Sequence, residues 1–180
     1  MYRGDLARDG HPSGATLNSN QAAKLAPSWS VNLGGSIDGS PAVFDGLIVT
    51  GTEAGELTAR HLNDGSPAWT QSGLGTITDS PTITDGRVVV GTLSGRVDAF
   101  DERSGRQLWS WRSPGRQPAI WSSPTVYRNR VMIGVASQYG DTPLEAGRLV
   151  ALDLRTGRPL WDDCILQGCR PGGGVWSSLA

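Results

Sequence analysis

Three places in this sequence could carry chemistry on residue type and spacing. The first is a pair of columns just ahead of a recurring serine. Two residues before Ser40, Ser80, Ser123 and Ser178 stand Asp38, Thr78, Trp121 and Trp176; one residue before stand Gly39, Asp79, Ser122 and Ser177. A carboxylate such as Asp38 or Asp79 could ligate a metal or act as a base, and an indole such as Trp121 or Trp176 could stack on a planar conjugated ring. On residue type alone, turn residues and packed aromatics are the stronger reading of these positions. The second place is the Cys164–Cys169 pair around Ile165-Leu166-Gln167-Gly168. Gly168 allows a small loop closed by a disulfide, which a secreted setting would favour, and two reduced thiols fit the spacing nearly as well. The third is the histidine set, only His11 and His61, too few for a Ser-His-Asp triad or a histidine metal cluster.

Other chemistries are disfavoured outright. Two cysteines do not build a zinc site, and no CxxCH haem signature occurs. No GxGxxG or phosphate loop leads from a strand into a helix. Net charge is −1 with a pI near 6.1, so nothing draws nucleic acid or an anionic membrane. No apolar run approaches the length of a membrane span, and Met1-Tyr2-Arg3-Gly4-Asp5 does not begin a signal peptide. The Arg3-Gly4-Asp5 tripeptide reads as chance.

The elements that would position these residues follow from repetition. With 25 Gly and 11 Pro among 180 residues, turns are dense and few stretches could make a long helix. Trp29, Trp69 and Trp109 stand 40 apart, as do Gly51 and Gly91, and Ser40-Pro41 recurs 40 residues on as Ser80-Pro81. Asp45-Gly46 and Asp85-Gly86 each separate two short apolar runs, a hairpin signal because both turn positions need φ > 0. A period near 40 with four short strands per unit is the signature of propeller blades. The fold class is therefore all-β, a partial β-propeller of about three four-stranded antiparallel blades plus the start of a fourth.

The expected layout is a polar entry segment over 1–25 with a short helix in Leu17–Leu25 capped by Asn18 or Ser19, and an outer strand of a closing blade over 26–35, Trp29 to Leu33 alternating as a strand. Blade 1 spans 36–75, blade 2 spans 76–118, and blade 3 spans 119–173 with an insertion at 136–146. Residues 174–180 open a blade 4 that stops inside its first strand. Three blades cannot close a toroid, so the chain is expected to be the N-terminal portion of a longer propeller, marginal or self-associating alone.

The best-formed unit, Ala151-x-Asp153-x-x-Thr156-Gly157-x-x-x-Trp161, repeats as Ala99, Asp101, Gly105, Trp109 and, degraded, as Ala59 and Trp69 with His61 and Asp64 replacing the motif's polar residues. Each Trp is expected on an outermost strand, its ring docked between blades; a ring burying 150–250 Å² contributes roughly 4–6 kcal/mol gross. The alanines leave clearance, the Asp and Thr side chains bond the turn, and Gly157 supplies φ > 0.

These residues resemble the blade motif of the pyrroloquinoline-quinone-type (quinoprotein alcohol dehydrogenase-like) β-propeller repeat family over about 26–180. The segment around Asp9-Gly10 and Trp29, and Gly174-Val175-Trp176-Ser177-Ser178 after a long third unit, look like polyvinyl-alcohol-dehydrogenase-type members. The resemblance implies a quinone over the propeller axis, with Trp121, Trp176, Asp38 and Asp79 as rim residues. It also implies Ca²⁺ on that quinone and an Asp base, whose ligands do not match this chain residue by residue. The family's adjacent-cysteine ring is not reproduced. The parent it implies is a periplasmic or secreted quinone-dependent dehydrogenase acting on a small-molecule or polymeric alcohol, this portion inactive by itself. The alternative is a non-catalytic propeller of the same repeat, a protein-binding scaffold or sensor.

Overall fold

The computed structural model describes residues 17–179. His11, Arg3-Gly4-Asp5, Asp9-Gly10 and the first sixteen residues of the entry segment lie outside the described residues.

Three antiparallel sheets follow one another along the chain. The first runs β1 (Ala42–Phe44), β2 (Leu47–Gly51), β3 (Leu57–His61) and β4 (Pro67–Gln71), each strand beside the next. The second repeats that order with β5 (Thr82–Thr84), β6 (Arg87–Gly91), β7 (Arg96–Asp101) and β8 (Gln107–Arg112). The third adds β9 (Pro118–Ala119), which pairs with the far end of β11, to the run β10 (Thr125–Tyr127), β11 (Arg130–Ser137), β12 (Arg148–Asp153) and β13 (Pro159–Cys164). The arrangement is a partial β-propeller of three blades, not closed into a ring.

Turn chemistry sets each blade's register. Asp45 and Gly46 have φ of 42° and 78°, Asp85 and Gly86 of 48° and 75°, and Arg128 takes φ 53° at the matching turn of the third blade. Opposite each tryptophan sits the motif alanine: Ala59 on Trp69, Ala99 on Trp109, Ala151 on Trp161. The register slips just past that alanine in all three blades, a repeated bulge.

Packing between blades uses the tryptophans. The Trp69 indole donates to the Glu102 carbonyl at 2.9 Å and lies on Gly105; Trp109 donates to the Leu154 carbonyl at 2.9 Å and lies on Gly157. Gly105 and Gly157 both have φ 70°, so the turn needs glycine and the ring occupies the space a Cβ would take. In those turns Asp101 Oδ1 accepts from the Ser104 N–H and hydroxyl, and Asp153 Oδ1 from those of Thr156. The first unit moves the task to Asp64, which holds Ser66 in the same way. One buried cluster joins blades 1 and 2 through Leu57, Ile77 and Phe100, and another joins blades 2 and 3 through Val97, Ile120 and Ile133. Trp69 and Trp109 are 8% exposed but Trp161 is 39% exposed, because no turn among the described residues covers its ring.

The short helix expected in Leu17–Leu25 is one turn, Ser19–Ala22, with Asn18 as its cap through a reciprocal bond with Gln21. Two other expectations are corrected. Residues 26–35 form no strand: none of the described residues offers a ladder partner, so the alternation has nothing to pair with. Trp29 still donates to the Leu62 carbonyl at 2.8 Å and lies on Gly65, as the later tryptophans do one blade on. Residues 174–179 likewise form no strand and are held by single bonds to blade 3.

Candidate functional site

The connection entering each blade brings the two columns before the serine to one place. Asp38, Thr78, Trp121 and Trp176, with Gly39, Asp79 and Ser177 of the second column, line one recess of about 250 Å³. The serines themselves stitch it together. The Ser40 N–H donates to the Ser80 hydroxyl, Ser80 N–H to the Ser123 hydroxyl, and Ser123 N–H to the Ser178 hydroxyl, each at 2.9 Å. Thr82 and Thr125 add a second rung, donating to the Pro124 and Leu179 carbonyls. The sequence shows Ser-Pro only as a marker of phase, and the one visible signal of this ladder is the recurrence of a serine at 40, 80, 123 and 178.

The rim aromatics do meet. The Trp121 and Trp176 ring centroids are 5.2 Å apart at a 36° tilt, and the Tyr139 ring stands edge-on to Trp121 at 4.4 Å and 80°. Trp121 is further fixed by its indole N–H, which donates to the Ser137 carbonyl at 2.9 Å. Tyr139 comes from the third-blade insertion, in a 3-10 turn (Tyr139–Asp141), and spacing alone gave no hint of it. Trp176 remains 44% exposed, so its ring is available at the recess.

The two carboxyls part company. Asp38 is exposed at the lip. Asp79 is 2% exposed; its Oδ2 accepts from the Gly91 N–H at 2.7 Å and its Oδ1 is buried without a partner. Burial pushes this carboxyl well above the ordinary range, against the weaker pull of the Gly91 hydrogen bond. Gly39 occupies the matching column of the first blade, where a Cβ would run into the Asp79 carbonyl.

Among the described residues no group of three or more His, Cys, Asp or Glu side chains is placed to hold a metal. Ca²⁺ takes six to eight oxygen ligands, and a buried Asp79 with one oxygen already engaged by the Gly91 N–H is a poor one. The residues present fit a flat ring at the tryptophan pair and do not fit Ca²⁺. His61, exposed at the end of β3, lies away from the recess lining. Cys164 and Cys169 are joined in a disulfide. A larger cleft of about 410 Å³, unforeseen from sequence, opens among Pro114, Arg116, Glu145 and Pro171. It lacks a comparable set of convergent groups, since Glu145 spends Oε1 on the Arg116 and Gln117 N–H groups.

The sequence profile of the family described as outer membrane protein assembly factor BamB matches residues 16–171. The chain belongs to that family, a pyrroloquinoline-quinone-type repeat propeller. Among solved structures, BamB from Moraxella catarrhalis is 25% identical with a TM-score of 0.64, covering 79% of this chain and 43% of that one. A europium-containing methanol dehydrogenase superposes at a TM-score of 0.71 with 20% identity, covering 83% and 28%. Quinohemoprotein alcohol dehydrogenase ADHIIG from Pseudomonas putida HK5 does so at 0.67 with 24% identity, covering 77% and 22%. The likeness to these two dehydrogenases is one of fold. The chain thus spans less than half the length of each of these proteins. No curated protein sequence matches it.

Proposed function

We propose that this family member is part of a periplasmic or secreted propeller whose axial recess binds a planar conjugated cofactor of the quinone type, the whole protein being a quinone-dependent alcohol dehydrogenase. The observation that carries the reading is the Trp121–Trp176 pair, one ring clamped and the other exposed, at the recess where the connections into four successive units converge. A clamped indole is a preorganised stacking surface. Ser40 and Ser177, both exposed, line the same recess and suit the polar edge of such a ring. When bound, the quinone would supply the redox chemistry. The described residues would orient it and keep one face dry, and no proton step is assigned to Asp79, whose carboxyl is sealed. The disulfide supports an oxidising compartment.

A second reading, a non-catalytic protein-binding propeller, is supported by the BamB description of the family and by Asp79, which serves the backbone rather than the recess. The deciding experiment titrates the full-length protein with pyrroloquinoline quinone plus Ca²⁺, following tryptophan fluorescence and alcohol-dependent dye reduction. Saturable quenching that Trp176→Ala weakens at least tenfold, with turnover of alcohol, is the expected result. No quenching at high micromolar quinone would sink the dehydrogenase reading and leave the scaffold.

A further inference from the structure

Blade 1 differs from its neighbours on the side that faces away from blade 2. On that side of blade 2 stand Val88, Val90 and Phe100, with Val88 opposite Phe100 across the ladder; in blade 3 stand Val131, Ile133 and Leu152, with Val131 opposite Leu152. All six are at most 1% exposed, packed in the two seams against the preceding blade. The matching positions of blade 1 hold Ile48, Thr50 and Arg60, with Ile48 opposite Arg60. Val43, beside Ile48 on the first strand, is 58% exposed, whereas its counterpart Val126 is 8% exposed.

Part of this face is already closed. The Trp29 indole reaches the Leu62 carbonyl 33 residues on, the same offset as Trp69 to Glu102, and lies on Gly65 as Trp69 lies on Gly105. The tryptophan of a preceding outer strand is therefore in its slot without the rest of a blade behind it. Between Trp29, Val31 and Leu33 on one side and Ile48, Thr50 and Arg60 on the other runs a groove of about 150 Å³. Two of its polar groups, the Thr50 hydroxyl and Arg60 Nε, are buried with no hydrogen-bond partner among the described residues. Arg60 Nη1 donates to the Gly65 carbonyl at 2.7 Å, which holds the guanidinium at the groove. A guanidinium stays charged and can only donate. The apolar faces that blades 1 and 2 turn to their successors, Leu57 with Trp69 and Val97 with Trp109, would bury that charge with Nε still unpaired.

We propose that this face of blade 1 is the docking surface for a further blade of the whole protein, one that carries a carboxylate to Arg60 at the seam. The carboxylate accepts from Arg60 Nε, an oxygen of the same surface accepts from the Thr50 hydroxyl, and apolar side chains fill the groove against Val31, Leu33 and Ile48. The seam then differs in kind from the two apolar seams on either side of blade 2. Arg60 acts as a mark of register: a blade without the acid seats there only by leaving a buried charge unpaired, so wrong pairings are penalised. The inference is independent of what the axial recess binds.

The test uses the full-length protein and has two arms. In the first, Val43→Cys should react with a maleimide at least tenfold more slowly than Ser72→Cys, which sits on an exposed loop, and should do so at every protein concentration. Equal rates would show an open face and overturn the proposal. Protection that grows with concentration would place a second copy on the face and overturn it as well. In the second arm each Asp and Glu outside residues 17–179 is changed to Asn or Gln, alone and together with Arg60→Met. One of these changes should lower the melting temperature by at least about 4 °C by itself, and by less than half as much beside Arg60→Met. The coupling is the readout, because Arg60→Met also takes a donor from the Gly65 carbonyl. Arg60→Gln serves in the same cycle if the methionine variant does not fold. If no acid couples to Arg60, the carboxylate is not there and the proposal falls.

Discussion

Asp79 and Ser122 do the same job in neighbouring blades. Each takes the N–H of the glycine at the matching position of its blade's second strand, Asp79 from Gly91 at 2.7 Å and Ser122 from Gly134 at 2.8 Å. The difference is what remains: the Ser122 hydroxyl also donates to the Gly134 carbonyl, whereas Asp79 is left with a buried, unpartnered oxygen. A carboxyl has been placed where a hydroxyl suffices.

Asp79→Ser should therefore stabilise the protein by about 1–3 kcal/mol near neutral pH, the scale of an unsatisfied buried polar group. The sign with pH follows from the raised folded-state value. What Asp79 contributes is fully present below the unfolded value of 3.8 and is lost as pH rises through the folded value. The advantage of the serine variant should thus grow with pH from mildly acid to neutral. Urea unfolding of both proteins across that range checks it; an advantage that shrinks as pH rises contradicts the assignment.

The turn carboxylates behave in the opposite sense. Hydrogen bonds from Ser104 hold Asp101 below its ordinary value, and those from Thr156 do the same for Asp153. Their contribution is present above the unfolded value of 3.8 and disappears as pH falls through the lower folded values. Replacing both by Asn should flatten the loss of thermal stability below about pH 4, measured by melting in acid.

Gly105→Ala and Gly46→Ala separate turn strain from docking. Both glycines have positive φ, 70° and 78°, but a Cβ at Gly46 meets nothing within 4 Å and one at Gly105 strikes the Trp69 ring. Gly46→Ala should cost roughly 1–2 kcal/mol from the left-handed backbone alone. Gly105→Ala should add about 1–3 kcal/mol of overpacking, read as the gap between the two unfolding midpoints. Equal losses would mean the ring moves aside freely.

Ser123→Ala removes the hydroxyl that accepts the buried Ser80 N–H. The orphaned donor should destabilise by about 1–3 kcal/mol. Hydrogen exchange at Ser80 should rise more than at Ser40, whose own acceptor, the Ser80 hydroxyl, is untouched.

Much of this was legible in the residues. The period of 40, the Asp-Gly turns and the Ala-to-Trp spacing depend on local backbone conformation and on side chains a few positions apart, which sequence displays directly. By itself the sequence determined the blade phase, the four-strand unit, the tryptophan positions and the family. It could not say whether Cys164 and Cys169 are bonded, because spacing fits both states. Nor could it show that Trp29 docks without a strand, that Tyr139 braces Trp121, or that Asp79 turns inward while Asp38 stays at the lip. Those outcomes depend on which residues 12 to 36 positions apart come into contact, and on how much water each contact excludes. The same Asp is a solvated turn residue or a buried carboxyl with a raised pKa according to the surface that closes over it, and only the tertiary structure decides which.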